Sequence, residues 1–256
     1  MIATEILQQI AREQQTSLFP NIVREYAQHL FLSELYQLPG SEKLLFKGGT
    51  ALRIVYNSPR FSEDLDFSLF IAPYTKPQEF VENLFLEVLS RMEKSGIRVE
   101  LGNKSAPTSG GYFGVATLYV PDYAPINIEI NISTRSESEL KVEVDSVANG
   151  FVPTYTIYHL SQEELINEKV FGALLERKKP RDYYDLYFMM RRNMLSPEQK
   201  QKLGTYATKI IKNARQVDFQ GELGAFLPAN QQAIVRDFTQ TLEREMNNQL
   251  SLQQNN

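Results

Sequence analysis

Residues 47–69 read KGGTALRIVYNSPRFSEDLDFSL, and the reading of this stretch decides the fold. Two glycines open what reads as a helix, and two aspartates, two positions apart, follow on what reads as a strand. Side chains two apart on a strand point the same way, so Asp64 and Asp66 share one face while Leu65 and Phe67 fill the other. Two carboxylates a few ångströms apart repel each other, and protonation of one or a cation between them relieves the repulsion. Their hard oxygens suit magnesium, which takes one or two protein carboxylates and completes its octahedron with water and phosphate oxygens. Such a pair can equally face solvent, and spacing alone leaves both readings open.

Working upstream, LLFKGGTALRIVY has the form strand, Gly-Gly, hydroxyl, helix. Amides at a helix start bind anions, and glycine lets a phosphate approach the backbone. Gly48, Gly49 and Thr50 are therefore candidate nucleotide-binding residues, with Lys47 either facing phosphate or extending away from the strand end. The pattern is neither GxxxxGK[ST] nor GxGxxG, and the plainer alternative is a tight turn with Thr50 as helix N-cap. Arg60 and Ser62, flanking Phe61, can touch phosphate or orient Asp64.

Downstream, INIEINIS alternates Ile126, Ile128, Ile130 and Ile132 with Asn127, Glu129 and Asn131. If this strand pairs beside DLDFSL with its apolar face to the same core, Glu129 joins the two aspartates as a third metal ligand. Three carboxylates can hold two magnesium ions, one at the attacking oxygen and one on the triphosphate. The alternative is an edge strand whose polar face is wet.

The chain as a whole bounds these readings. Its 256 residues suffice for one large domain or two modest ones, and 42% hydrophobic with 23% charged residues is ordinary globular composition. No cysteine is present, which excludes disulfides, thiolate metal sites and a cysteine nucleophile, and only two histidines, His29 and His159, disfavour zinc. No apolar run approaches a membrane span and the first residues are amphipathic and mixed in charge, so a cytoplasmic protein without membrane partners is expected. A net charge of -4 offers no global attraction to nucleic acid, so a polyanion would have to meet a local basic patch.

Periodicity predicts helices over about 4–15, 20–37 and 77–95, a strand at KLLFK, a two-turn helix at TALRIVYN broken by Pro59, and strands at DLDFSLF, IRVELG, YFGVATLYV and INIEINIS. GNKSAPTSGG reads as a polar loop. From Ser161 the pattern turns helical: SQEELINEKVFGALLERKK with a Ser161–Glu164 capping box, PRDYYDLYFMMRR, SPEQKQKLGTYATKIIKNA and a segment near 229–248, with SLQQNN as a frayed tail. The expected class is α/β (α+β): an α/β core with a mixed sheet over residues 1–158, preceded by its own helices, and a C-terminal helical domain over 159–256.

In that helical half Lys169 shares a sector with Leu165, Gly172 and Ala173. A lysine so placed needs an anion, either a triphosphate or an ion pair with Asp182 or Asp185. Those two aspartates lie three apart on one helix face and can brace Lys169 or Arg181. Arg177, Lys178, Lys179, Arg181, Arg191 and Arg192 form a basic cluster, either solvated or meeting RNA phosphates. Tyr183, Tyr184, Tyr187 and Phe188 read as core.

KGGTALRIVY, RFSEDLDF and KVFGALLERKKPRDYYDLYF together resemble the AbiEii-type nucleotidyltransferases, toxins of abortive-infection and toxin-antitoxin systems, over about Lys43 to Arg191. The resemblance implies a DNA-polymerase-β-like nucleotidyltransferase fold with an NTP at the glycine turn and Mg²⁺ on Asp64 and Asp66. It also implies transfer of a nucleoside monophosphate with release of pyrophosphate. Gly48, Gly49, Thr50, Asp64 and Asp66 match its first motif. Lys169 matches the lysine placed near the nucleotide, and Asp182 with Asp185 matches the later acidic motif, either being the key position. Catalytic roles are thus expected of Asp64, Asp66, Lys169 and Asp182, nucleotide contacts of Lys47 to Thr50, Arg60, Ser62, Lys169 and Asp185, and a third carboxylate of Glu129. An RNA acceptor such as tRNA and an antitoxin encoded nearby are the implied partners. A small-molecule nucleotidyltransferase and a non-catalytic nucleotide-binding protein remain the alternatives.

Overall fold

A computed structural model describes residues 2–16, 18–70, 77–102, 106–108, 111–120, 123–134 and 141–251. The chain divides into two compact units, one of residues 1–57 and 61–160, the other of 58–60 and 161–256. The short segment Ser58–Arg60 thus groups with the helical unit although it lies within the sequence of the α/β unit.

In the α/β unit the described residues form one mixed sheet. Its strands are β1 Leu44–Lys47, β2 Leu65–Leu69, β3 Arg98–Leu101, β4 Ala106–Thr108, β5 Gly111–Tyr119, β6 Ile126–Thr134, β7 Val142–Val147 and β8 Tyr155–Leu160. They run in the order β3-β5-β6-β2-β1-β8-β7, with β4 paired to β5. β1 is central, antiparallel to β2 and parallel to β8, and its residues Leu44, Leu45 and Phe46 are buried because helices and neighbouring strands leave it no wet face.

Helix α1 spans Thr4–Glu13, α2 Phe19–Leu35, α3 Gly48–Ile54 and α4 Pro77–Lys94. α2 is buried well beyond the single apolar face that its periodicity suggests: Asn21, Glu25, Gln28, His29 and Ser33 are buried too. Such polar burial stands only with partners, and each of four has one: Glu25 pairs with Arg53 at 2.8 Å, Gln28 reaches backbone carbonyls, His29 lies 3.0 Å from the Tyr155 hydroxyl and Ser33 donates to Leu30 O.

The expected elements are present with boundaries shifted by a few residues, and three strands and a short helix at Phe219–Leu223 are additional. β4 falls inside the stretch read as a polar loop, where pairing to β5 overrides the Pro and Ser composition. β7 and β8 pair antiparallel. β7 hides from pattern reading because it is an edge strand exposed from Val142 to Ser146, and β8 because buried His159 interrupts its apolar run.

In the helical unit, SQEELINEKVFGALLER is one continuous helix in three parts: α5 Gln162–Ile166, a π-helical stretch Asn167–Leu174, and α6 Leu175–Arg177. Ser161 Oγ caps its start by accepting from the Glu164 amide at 3.3 Å. α7 Pro180–Arg191, α8 Pro197–Ala214, α9 Phe219–Leu223 and α10 Phe238–Ser251 follow. Their core is aromatic: Phe238 packs against Tyr184, Tyr187 and Phe219, which bears out the core reading of the α7 tyrosines. A short 3-10 turn, Ala229–Val235, precedes α10, so the last predicted helix starts later than its pattern suggests. Of the tail SLQQNN, residues 252–256 lie outside the described residues.

Candidate active site

Pairing of β1 with β2 brings the glycine turn onto the acidic strand. Lys47, the last residue of β1, stands opposite Asp66, and the chain passes directly into α3. Gly48 has φ +84, a left-handed conformation that other residues adopt at a cost. A Cβ at this position would lie 2.1 Å from Asp66 Oδ2. Glycine is therefore required twice, for the hand of the backbone and because the Asp66 carboxylate takes up the space beside it.

On the other side of β2, β6 runs parallel with Asn131 opposite Asp66. Asn131 Nδ2 donates to Asp66 Oδ1 at 3.2 Å. Two residues along the same face, Ser133 Oγ accepts from Lys47 Nζ at 2.7 Å and lies 3.4 Å from Ser68 Oγ. Lys47 thus lies along the sheet surface rather than extending away from it.

Asp64 lies immediately before β2, and its backbone is pinned. The Thr50 hydroxyl donates to the Asp64 carbonyl, and Gln28 Nε2 donates to the carbonyls of Ser62 and Glu63 at 3.1 and 3.0 Å. The Arg53 guanidinium, held by Glu25, covers the Phe61 ring at 4.3 Å. Asp64 and Asp66 themselves are half-buried.

Two of the expected residues stand differently from the reading of the sequence. Thr50 is 1% exposed and its hydroxyl braces the Asp64 backbone, and Lys47 rather than Thr50 holds the N-cap position of α3. Glu129 is exposed on the Asn131 face of β6, and β6 does pair with β2. Even so, among the described residues no group of three or more His, Cys, Asp or Glu side chains could hold a metal ion. The register sets Asn131, not Glu129, on Asp66. Gln28, Asn131 and Ser133 are site residues that sequence reasoning passes over. A polar residue repeating on the wet face of β6 was the available signal for the last two; for Gln28 there was none, since its partners are distant backbone carbonyls.

The second cluster belongs to the helical unit. Arg60 Nε and Nη2 donate to Asp185 Oδ1 and Oδ2 at 2.9 and 3.0 Å, and Lys169 Nζ donates to Asp185 Oδ2 at 2.9 Å. Lys169 also lies 3.7 Å from Asp182 Oδ1, while Arg177 grips Asp182 through Nε and Nη2, both at 2.9 Å. Asp185 is 0%, Arg60 1% and Asp182 2% exposed. Burial by itself pushes the Asp185 carboxyl up, but the charges and hydrogen bonds of Arg60 and Lys169 outweigh it and hold the group below the usual carboxylate range. Arg60, expected at phosphate, is the buried partner of Asp185 here, and Asp185, expected at the nucleotide, is the anion that Arg60 and Lys169 share. Lys169 meets the aspartates, as the ion-pair alternative holds.

Magnesium is tested by the donor set. Asp64 and Asp66 supply hard carboxylate oxygens, Asp66 is oriented by a neutral amide that adds no competing charge, and both are open enough to take a ligand. With no third carboxylate gathered, the remaining coordination would come from water and phosphate oxygens, the usual habit of this ion. The residues fit the metal.

Comparison with known proteins gives the arrangement its class. In shape the chain matches a crystal structure from H. pylori described as a candidate nucleotidyltransferase, with TM-score 0.63, 19% identity and coverage of 92% of this chain and 96% of that one. JHP933 from Helicobacter pylori matches with TM-score 0.63, 20% identity and coverage of 92% and 94%. At such identities the likeness shows a shared fold. The sequence itself matches the family described as nucleotidyl transferase AbiEii toxin, type IV TA system, over residues 30–250. The chain belongs to that family and is a nucleotidyltransferase. No curated protein matches it significantly. Among the described residues no helix is long and apolar enough to cross a membrane.

Proposed function

We propose that the chain transfers a nucleoside monophosphate from an NTP to RNA such as tRNA, with Mg²⁺ on Asp64 and Asp66 and pyrophosphate as the leaving group. One observation carries the reading: the glycine turn and Asp66 touch, so closely that a methyl group at Gly48 would overlap the carboxylate. A phosphate approaching the turn meets the metal ligand at once.

When bound, Mg²⁺ neutralises charge on the triphosphate and polarises the phosphorus under attack. The chain's own residues do the positioning. Asn131 orients Asp66, Thr50 and Gln28 hold the backbone that presents Asp64, and the absence of a side chain at Gly48 lets the Asp66 carboxylate lie against the turn. Positioning and fixed charge supply most of the rate in such chemistry. Lys169 and Asp182, which match the family's later motifs, are proposed as further residues that transfer requires. The family's type IV toxin-antitoxin description supports an antitoxin partner encoded nearby and a toxic activity.

The test incubates the protein and Mg²⁺ with each α-³²P-labelled NTP and total cellular RNA and protein, beside Asp64→Ala. Label on RNA with the wild type alone is expected, and it names the nucleotide. Label that survives Asp64→Ala sinks the metal assignment, and an unlabelled macromolecular pool despite NTP binding points to a small-molecule acceptor.

A further inference from the structure

We propose that Phe171, Tyr206 and Lys202 form a platform on the helical unit that binds single-stranded RNA, an inference that rests on the RNA acceptor of the proposed function. The first observation is charge. The helical unit carries 15 Lys and Arg against 12 Asp and Glu, whereas the α/β unit carries 12 against 19. α8 alone holds Lys200, Lys202, Lys209 and Lys212 beside a single acid, Glu198. In a chain that is acidic overall, the helical unit carries the positive balance, and α8 a good part of it.

The second observation is aromatic. Tyr183, Tyr184 and Phe238 of the same unit are buried, but Phe171 and Tyr206 are only half-buried. Their ring centroids lie 6.3 Å apart with a 49° tilt, and Lys202 Nζ stands 4.2 Å over the Phe171 ring. Lys202, Tyr206 and Lys209 follow at helical spacing on one face of α8. Beside them nothing lies within 4 Å of where a Cβ on Gly172 would sit. Phe171 and Gly172 belong to the π-helical stretch, a rare backbone form that recurs at functional sites.

Aromatic faces interleaved with lysines suit single-stranded nucleic acid, because every base has a π face and every linkage a phosphate. The Lys202–Phe171 contact is exchangeable in the same terms: a base takes the ring face and the displaced ammonium meets the adjoining phosphate. The open surface at Gly172 leaves room for the sugar.

Fluorescence anisotropy of a labelled 12-nucleotide single-stranded RNA, titrated with the full-length protein in Mg²⁺ without NTP, tests this directly. Phe171→Ala and Tyr206→Ala are each expected to weaken binding about tenfold, and Lys202→Gln with Lys209→Gln to flatten the salt dependence by roughly 0.7 per lost phosphate contact. Phe171→Leu keeps apolar bulk and guards against a folding defect; it too is expected to weaken binding, with an unchanged melting temperature. Wild type that fails to bind RNA, or variants that bind as tightly as wild type, overturn the platform. So does a change in oligomeric state on Tyr206→Ala with RNA affinity intact, which would mark a protein interface. The assay needs no turnover: a protein that binds RNA through these residues but labels nothing breaks the proposed function alone.

Discussion

Two pairs of aspartates, Asp64 with Asp66 in the α/β unit and Asp182 with Asp185 in the helical unit, put the same side chain to opposite uses. The first pair is half-buried and is oriented by a neutral amide, a serine-bound lysine nearby and backbone braces. The second is buried almost completely and gripped by two guanidiniums and an ammonium. Half-buried carboxylates can take a cation from solution, whereas buried carboxylates gripped by cations fix where those cations stand. A buried pair adds little net stability, yet removing one partner is costly because the other charge stays behind.

The largest effect should separate the two pairs by activity. Asp64→Ala or Asp66→Ala is expected to lower transfer by on the order of 10³-fold or more, the loss of a metal's charge stabilisation, while the urea midpoint stays near that of the wild type. An unfolded Asp66→Ala would instead make it a structural residue like its counterpart. Next, Asp185→Ala should cost ~3–5 kcal/mol of stability by leaving Arg60 and Lys169 buried without their anion, read as a fall in urea midpoint. The double variant Arg60→Ala/Asp185→Ala should lose less than the sum of the single variants, since the two groups are coupled.

Gly48→Ala sharpens the comparison from the backbone side. Its left-handed φ costs a substituted residue ~1–2 kcal/mol, and its new methyl must displace the Asp66 carboxylate, so activity should fall further than stability does. Transfer kinetics beside thermal melting distinguish the two losses, and an Ala variant with full activity would remove the close approach from the mechanism.

The last effect, graded rather than abrupt, is in mild acid. Burial, aided by the Arg53 charge, pushes His29 down to about 3, below its unfolded value near 6.5. The unfolded chain then binds more protons than the folded one between these values, so stability is complete above about 6.5 and falls as pH drops toward 3, by at most ~1.4 kcal/mol per unit. Asp185, held below its unfolded value, adds its own loss only at lower pH, in and below the ordinary carboxylate range. His29→Gln should flatten the slope of urea stability between pH 6.5 and 5 and leave the steeper acid limb in place.

Much of the fold was legible. The helices of both halves, the strand-glycine-helix turn and the alternating β6 follow from 3.6- and 2-residue periods, breakers and caps. β7 and β8 were not, because an edge strand with two wet faces and a strand interrupted by a buried histidine lack the contrast that periodicity needs. Of the site, the glycine turn and the paired aspartates could be found because their spacing is local. Gln28 could not, because its role is a hydrogen bond to a carbonyl 34 positions away; Asn131 was marked only as a polar residue on the wet face of β6, its partner Asp66 lying 65 positions away.

By itself the sequence determined that residues 47–69 form a glycine turn and an acidic strand, that thiol chemistry is excluded, and which family the chain resembles. Only the tertiary structure decided which charged residues are open and which are spent. Arg60 and Ser62 look alike on paper, two polar residues flanking Phe61, yet Arg60 is buried on Asp185 while Ser62 offers its carbonyl to Gln28. The reason is physical: the cost of a buried charge depends on what else the fold brings within about 3 Å of it, and that neighbourhood comes from distant parts of the chain.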